Sequence, residues 1–386
     1  MLINKKALES VEESDLQNLL ENQVAESKIL DYKETLPGNG DTDKKEFLFD
    51  VSSFANAAGG HLVYGIKEDD GVPVEISGLQ DFNPDEQILR MESMIRDGIN
   101  PRIPGVSIRS IPLNSSNCVI VIRIPKSWAS PHMVTFKGSS KFYSRNSAGK
   151  YQLDVSEIRR AFLLSETIAE RIRNFRAERL GKIVAGETPT PLNDNPKIVL
   201  HIVPFGAFDP GEKIDLSLIR KRKLLISPIN SSGWSDRYNF DGILRHYLQY
   251  GYVQVFRNGI IEAVDAHILE EIGGKRTIPM GALETELIQK LQEYTSAQNN
   301  LGVEPPFFIM LSLLTISNYT IYPGERFFSE GHTIDRDILV VPEIVAESFD
   351  YDPAEVMKPV FDTVWNAAGW EGSINYNKEG KRVGRT

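Results

Sequence analysis

At 386 residues, with 41% hydrophobic and 25% charged side chains, the chain has the composition of a globular protein and is long enough for about two or three cores, which excludes a disordered or fibrous polypeptide. A single cysteine, Cys118, excludes a disulfide framework and a cysteine-rich zinc site, and no apolar run reaches the roughly 18 residues of a membrane span or follows Met1 as a signal peptide would; a soluble protein of the reducing cytoplasm is expected. The net charge of −10 argues against a molecule that coats nucleic acid over its whole surface, but the charge is unevenly spread. Residues 101–183 carry 15 Lys and Arg against 5 Asp and Glu, a balance of +10, between flanks of −12 (residues 1–100) and −8 (residues 184–386). Such a block is either a solvated surface or one that faces a polyanion.

In chain order, Glu12 to Glu21 reads as a short polar helix with Leu16, Leu19 and Leu20 on its apolar side. Glu26 to Lys33 reads as a strand, and Glu34 to Thr42, with Pro37, Gly38 and Gly40, as a loop. Asp43 with Glu46 signals a helix start, and Phe47, Leu48, Val51, Phe54, Ala55 and Ala58 recur at helical spacing. Gly59 and Gly60 end that helix. His61 to Ile66 is then a short strand, Lys67 to Gly71 a turn, and Val72 to Ile76 a strand closing a hairpin. Asn83 and Pro84 open a helix to about Gly98. Gly105 to Leu113 and Cys118 to Pro125 form a second hairpin, turned by Asn114 to Asn117. Residues 126–152 read as irregular and basic, with Lys137, Lys141, Arg145 and Lys150 interleaved with Trp128, Phe136, Phe142 and Tyr143. Those four cations are the candidate grip on a nucleic-acid backbone. A long helix from Asp154 to about Ile183 carries Arg159, Arg160, Arg171, Arg173, Arg176 and Arg179, to extend the basic surface or pack a second copy of the chain.

This order of elements predicts an α+β domain of mixed sheet and helix over residues 1–153, followed by the arginine-rich helix and a proline-containing linker over 154–196. A second, strand-rich α/β-type domain of unread role is expected over 197–370. Its strands are Lys197–Pro204, Leu224–Ile229, Ile243–Leu248, a hairpin of Tyr252–Arg257 and Ile260–Asp265 around Asn258-Gly259, and Phe307–Ser317. Its helices are Gly281–Tyr294 and Pro353–Ala368, and residues 371–386 read as a disordered basic tail.

No GxxxxGK[ST], GxSxG or HExxH motif occurs, so the common phosphate cradle is absent and the case for an ATP site is weakened, and the six histidines have no ligand spacing. What remains is an acidic set with one lysine: Glu26, Asp31, Lys33 and Glu68. Asp31 and Lys33 share a strand face by the period of two, and Glu26 joins them only if the strand begins with a bend. Carboxylates converging with a lysine suit a divalent cation and phosphoryl chemistry, and also suit an ion-pair network that orients the strand or direct phosphate binding through Lys33.

Glu26 to Lys33, then Phe54-Ala55-Asn56-Ala57-Ala58-Gly59-Gly60 and Tyr64-Gly65-Ile66, resemble the Schlafen AlbA-2 domain, formerly labelled a divergent AAA or ATP-binding domain. The resemblance covers about residues 12–150. It implies a nucleic-acid-associated α+β fold and, in the animal branch, a metal-dependent endoribonuclease acting on structured RNA such as transfer RNA. It implies Glu26, Asp31 and Glu68 as the metal-holding carboxylates, for Mg²⁺ or Mn²⁺, with Lys33 as the catalytic lysine; a role in phage defence follows only by the same resemblance. Asp31 stands where the nuclease branch has glutamate, and Lys67 where an acid is usual. A nuclease, a non-catalytic DNA- or RNA-binding regulator and an ATP-binding protein on the older label therefore compete at this point. Asn56 is expected to cap the end of its helix.

Overall fold

The computed structural model describes residues 8–80, 82–114, 117–127, 129–208, 214–271, 273–321, 332–377 and 379–383, without the side chains of residues 9 and 164–166. Trp128 and parts of the expected turn at 114–117 and of the tail lie outside them. The chain folds as two compact units that divide between Ala169 and Glu170.

In the first unit, α1 (Glu13–Glu21), β1 (Leu30–Lys33), α2 (Asp41–Asn56), β2 (Gly60–Tyr64), β3 (Lys67–Asp69), β4 (Val72–Glu75) and α3 (Pro84–Gly98) are followed by β5 (Ile99–Asn100), β6 (Ser107–Pro112), β7 (Cys118–Ile124), β8 (Met133–Val134), β9 (Lys141–Asn146) and β10 (Gly149–Gln152). One sheet has the order β1-β2-β7-β6, with β1 and β2 parallel and the remaining pairs antiparallel. The two parallel strands need a crossover, and α2 supplies it. The central strands β2 and β7 are covered on both faces, which is why they read as nearly unbroken apolar runs. Leu62, Tyr64, Ile120 and Ile122 point into the core beneath α2 and α3, while Val63, Val119 and Val121 point to the opposite core shared with Leu16 and Leu19 of α1.

Two sequence expectations are corrected here. Val72–Glu75 does not pair with the strand after Gly-Gly; it pairs with Lys67–Asp69 in a separate two-stranded ribbon, because β2 already has β1 and β7 on its two edges. The basic stretch 126–152 is not irregular: β8, β9 and β10 build a second sheet, β10-β9-β8-β5, that packs on α2. Its alternation was hidden because Lys141, Arg145 and Lys150 occupy strand positions.

Glycine is required where α2 turns into β2. Gly59 has φ +70°, and a Cβ there would stand 2.5 Å from the Lys126 amide nitrogen; one on Gly60 would stand 2.4 Å from the Ile29 carbonyl oxygen. The Gly59 N–H donates to the Phe54 carbonyl at 2.9 Å and closes the helix. Asn56 does not cap the helix as expected. Its amide accepts from the His132 N–H (2.7 Å) and donates to the carbonyls of His132 (2.9 Å) and Tyr143 (2.8 Å), tying α2 to β9 and to the segment before β8.

Helix α4 (Val155–Val184) begins in the first unit and ends in the second. The second unit continues with β11 (Lys197–Pro204), α5 (Ser217–Lys221), β12 (Ser235–Tyr238), β13 (Gly242–Tyr247), β14 (Gly251–Phe256), β15 (Ile261–Asp265), β16 (Thr277–Ile278), α6 (Met280–Asn300), β17 (Phe307–Leu314), β18 (Thr320–Ile321), β19 (Ile338–Val340), β20 (Ile344–Ala346) and α7 (Pro353–Ala367). Its large sheet runs β12-β13-β14-β15-β11-β17-β19, with β20 also on β17. Helices α6 and α7 share the main core on one face, and Leu180 and Ile183 of α4 pack with Val199, Tyr252 and Val264 on the other. The division between the two units falls inside α4, whose C-terminal arginines belong to the second unit.

Leu224–Ile229 is not a strand. Ile226 and Ile229 are buried, yet the carbonyls of Leu224 and Ile226 are taken by the Arg245 guanidinium instead of a ladder. Nor are the described residues of the tail loose. Ser373 and Asn375 donate to the buried Glu284 carboxylate, each at 2.8 Å, beside the Trp365 indole N–H at 2.9 Å.

Candidate functional site

The acidic set expected from the sequence assembles around the start of β1. Residues 27–30 turn back on themselves, with reciprocal backbone bonds between Ser27 and Leu30, and this bend returns the Glu26 carboxylate to the strand. Glu26 accepts from the Tyr32 N–H at 2.8 Å, and Tyr32 itself points to the opposite core, where its hydroxyl donates to the Val24 carbonyl. Asp31 and Lys33 share the other face, with Lys33 Nζ 2.6 Å from Asp31 Oδ1. Asp31 Oδ2 is held at 2.9 Å by Arg145 of β9, whose side chain is only 3% exposed and stacks 3.8 Å above the Phe54 ring of α2.

Glu68 is exposed. It accepts from the Gly71 N–H at 2.6 Å, while the Gly71 carbonyl accepts from the Glu26 N–H at 2.7 Å. The β3–β4 ribbon is thereby pinned beside Glu26. Both glutamates meet at Gly71, but Glu68 does not share the Asp31 carboxylate's partners.

The electrostatics follow from this packing. Burial pushes the Glu26 carboxyl up to about 7, the Tyr32 N–H opposing and the neighbouring Asp31 carboxylate adding to it. Burial would raise Asp31 as well, but Lys33 and Arg145 outweigh it and keep that carboxyl below its usual range. Burial works against the Lys33 ammonium, and Asp31, Asp50 and Glu26 more than compensate, so Lys33 is raised.

The four cations expected to grip a backbone part company. Arg145 is a correction: it lies in the core on Asp31 and presents no surface. Lys137 is exposed and sits 3.6 Å from Asp41, and Lys150 lies 2.7 Å from Glu46 and 2.8 Å from the buried Asp50. Lys141 is exposed at the start of β9. Lys33, Lys137 and Lys150 are thus set around the carboxylates of α2. Asp50 escaped the sequence reading, although a signal was present: it falls three residues after Phe47 and four before Phe54, an acid inside an apolar helix face.

Three arginines of the long helix make their contacts within the second unit. Arg176 donates to the Ser312 hydroxyl and to the carbonyls of Leu311 and Val341, Arg179 makes a two-point pair with buried Glu262 at 2.7 Å, and Arg173 lies 3.1 Å from Glu343. These three side chains fasten α4 to its own unit's sheet. Arg109 likewise serves the carbonyls of Leu8 and Val11. Part of the charge counted over 101–183, at Arg145, Arg176 and Arg179, is therefore used inside the protein.

Residues 26–154 match the Schlafen AlbA_2 family model. They form a Schlafen AlbA_2 domain. The family points to a nucleic-acid-related function for the α+β unit that contains it. No curated protein matches the chain. Among solved structures, the DIP2311 protein from Corynebacterium diphtheriae is similar at 18% identity, over 36% of this chain and 27% of that one, with a TM-score of 0.24. Among the described residues no helix is long and apolar enough to cross a membrane.

The divalent ion that the Schlafen AlbA_2 resemblance implies does not fit the side chains as they stand. Among the described residues no three Asp, Glu, His or Cys side chains are placed to hold a metal ion. Asp31, which would be central to such a site, has one oxygen on Lys33 and the other on Arg145.

Proposed function

We propose that the AlbA_2 domain binds the phosphate backbone of nucleic acid through Lys33, Lys137, Lys141 and Lys150. The observation that carries this reading is the arrangement of Lys33, Lys137 and Lys150 near α2, with side chains 40%, 62% and 26% exposed. Lys137 and Lys150 have exposed carboxylate partners in Asp41 and Glu46, and exchange of such a partner for a phosphate is cheap, because exposed pairs contribute on the order of 1 kcal/mol or less. Anisotropy of labelled RNA hairpin and single-stranded DNA between about 50 and 200 mM salt tests it, since affinity falls with salt in proportion to the phosphates contacted. A Lys33→Ala, Lys137→Ala, Lys141→Ala variant is expected to bind more weakly with a shallower salt slope; equal binding and an equal slope would refute the assignment.

A second reading is favoured by Glu26. A carboxyl that titrates near neutrality is suited to take a proton from an attacking hydroxyl, and the Lys33 ammonium beside it suits the charge of a phosphoryl transition state. On this reading the domain cleaves RNA, with structured RNA such as transfer RNA as substrate and defence against phage as one setting. Fragments from labelled transfer RNA that disappear in Glu26→Gln would support it. Binding without fragments, equal in Glu26→Gln and wild type, would leave the binding function alone.

A further inference from the structure

The misfit between the implied divalent ion and the residues around Asp31 has a specific cause. We propose that Arg145 takes the place of that ion, so that this AlbA_2 domain carries a fixed guanidinium where a metal would otherwise neutralise Asp31.

Three observations support this. Both Asp31 oxygens are already in charge-assisted bonds, at 2.6 Å to Lys33 and 2.9 Å to Arg145, so the charge of the carboxylate is answered twice over and a cation at its remaining lone pairs would meet two positive groups. Arg145 is not a surface side chain: it enters from β9, is 3% exposed, and has its guanidinium carbon 3.8 Å over the centre of the Phe54 ring. Its Nε and Nη1 are buried without a hydrogen-bond partner among the described residues. Burying a guanidinium with two unsatisfied groups is costly, and the arrangement makes sense where its positive charge is needed in that spot. A divalent ion entering beside it would face Arg145 and Lys33 together.

The inference concerns ion binding and stands whether or not the domain binds nucleic acid. The test is uptake of Mn²⁺ by the full chain, read from loss of the free-ion paramagnetic resonance signal, with folding checked by circular dichroism. Wild type is expected to leave the signal undiminished. Arg145→Met is expected to take up one Mn²⁺ at least about tenfold more tightly than wild type, an uptake abolished by adding Asp31→Asn. Stoichiometric uptake by the wild type that Asp31→Asn removes would overturn the proposal, and so would a folded Arg145→Met with no gain in uptake. If Arg145→Met does not fold, the wild-type measurement and its Asp31→Asn control decide the question.

Discussion

Acidification isolates one consequence of how the first unit is packed. His61 on β2 and His132 before β8 are both almost fully buried. Neither ring nitrogen of His61 has a hydrogen-bond partner among the described residues, and burial, aided by nearby Arg123, holds its pKa down at about 3. His132 has one nitrogen 2.7 Å from the Pro101 carbonyl and the other unpartnered; burial lowers it to about 4 although that carbonyl opposes the shift. The folded state therefore favours neutral rings that the unfolded chain protonates near 6.5. Their contribution is fully present above that value and is lost as pH falls from 6.5 toward 4 and 3. At pH 5 each costs about 2 kcal/mol relative to pH 7.5. Glu26 acts with the opposite sign: raised to about 7, it favours the folded state more as pH falls from 7 toward 4.5. The same arithmetic gives about 2 kcal/mol, reduced to about 1 because the group is only half-buried. The first unit is thus expected to lose about 3 kcal/mol between pH 7.5 and 5. The assay is urea unfolding by circular dichroism across that range, with the histidine Cε1–H resonances followed by NMR. Ring resonances of His61 and His132 that titrate with midpoints above 6 in the folded protein would refute the reasoning.

Further outcomes follow from the geometry. Gly60→Ala should destabilise the first unit by about 3 kcal/mol or more, because its Cβ would meet the Ile29 backbone at 2.4 Å at φ +149°; an unchanged urea midpoint would show that the approach can relax. Arg145→Met should cost about 3 kcal/mol by stranding Asp31, and adding Asp31→Asn should recover a good part of it; additive losses in the double-mutant cycle would show that the pair is not coupled. Glu262→Gln in the second unit removes the charge that answers Arg179, His201 and the Tyr252 hydroxyl, and should lower that unit's stability by about 2–4 kcal/mol in thermal unfolding. Ser373→Ala with Asn375→Ala should leave Glu284 short of two donors and loosen residues 371–377, seen as faster amide exchange there.

Sequence by itself determined the elements whose pattern is local. The apolar spacing of Phe47, Leu48, Val51 and Phe54 specifies α2, the Asn83-Pro84 pair starts α3, and Asn258-Gly259 turns β14 into β15, because periodicity and turn chemistry act over a few residues. The Gly59-Gly60 motif was legible for the same reason, as was the sharing of one face by Asp31 and Lys33. What only the tertiary structure decided is where charges end up. Arg145, Lys150 and Arg176 look alike as letters in a basic stretch. One is sealed over Asp31, one bridges Glu46 and Asp50, and one donates to Ser312 and neighbouring carbonyls, each partner lying a hundred residues or more away in sequence. A charge count along the chain measures composition, whereas surface potential depends on which carboxylates the fold brings opposite each cation. The same holds for the acidic set. Strand period placed Asp31 beside Lys33, but a guanidinium arriving from another sheet decided that the carboxylate is already neutralised, and that fact lives in long-range packing.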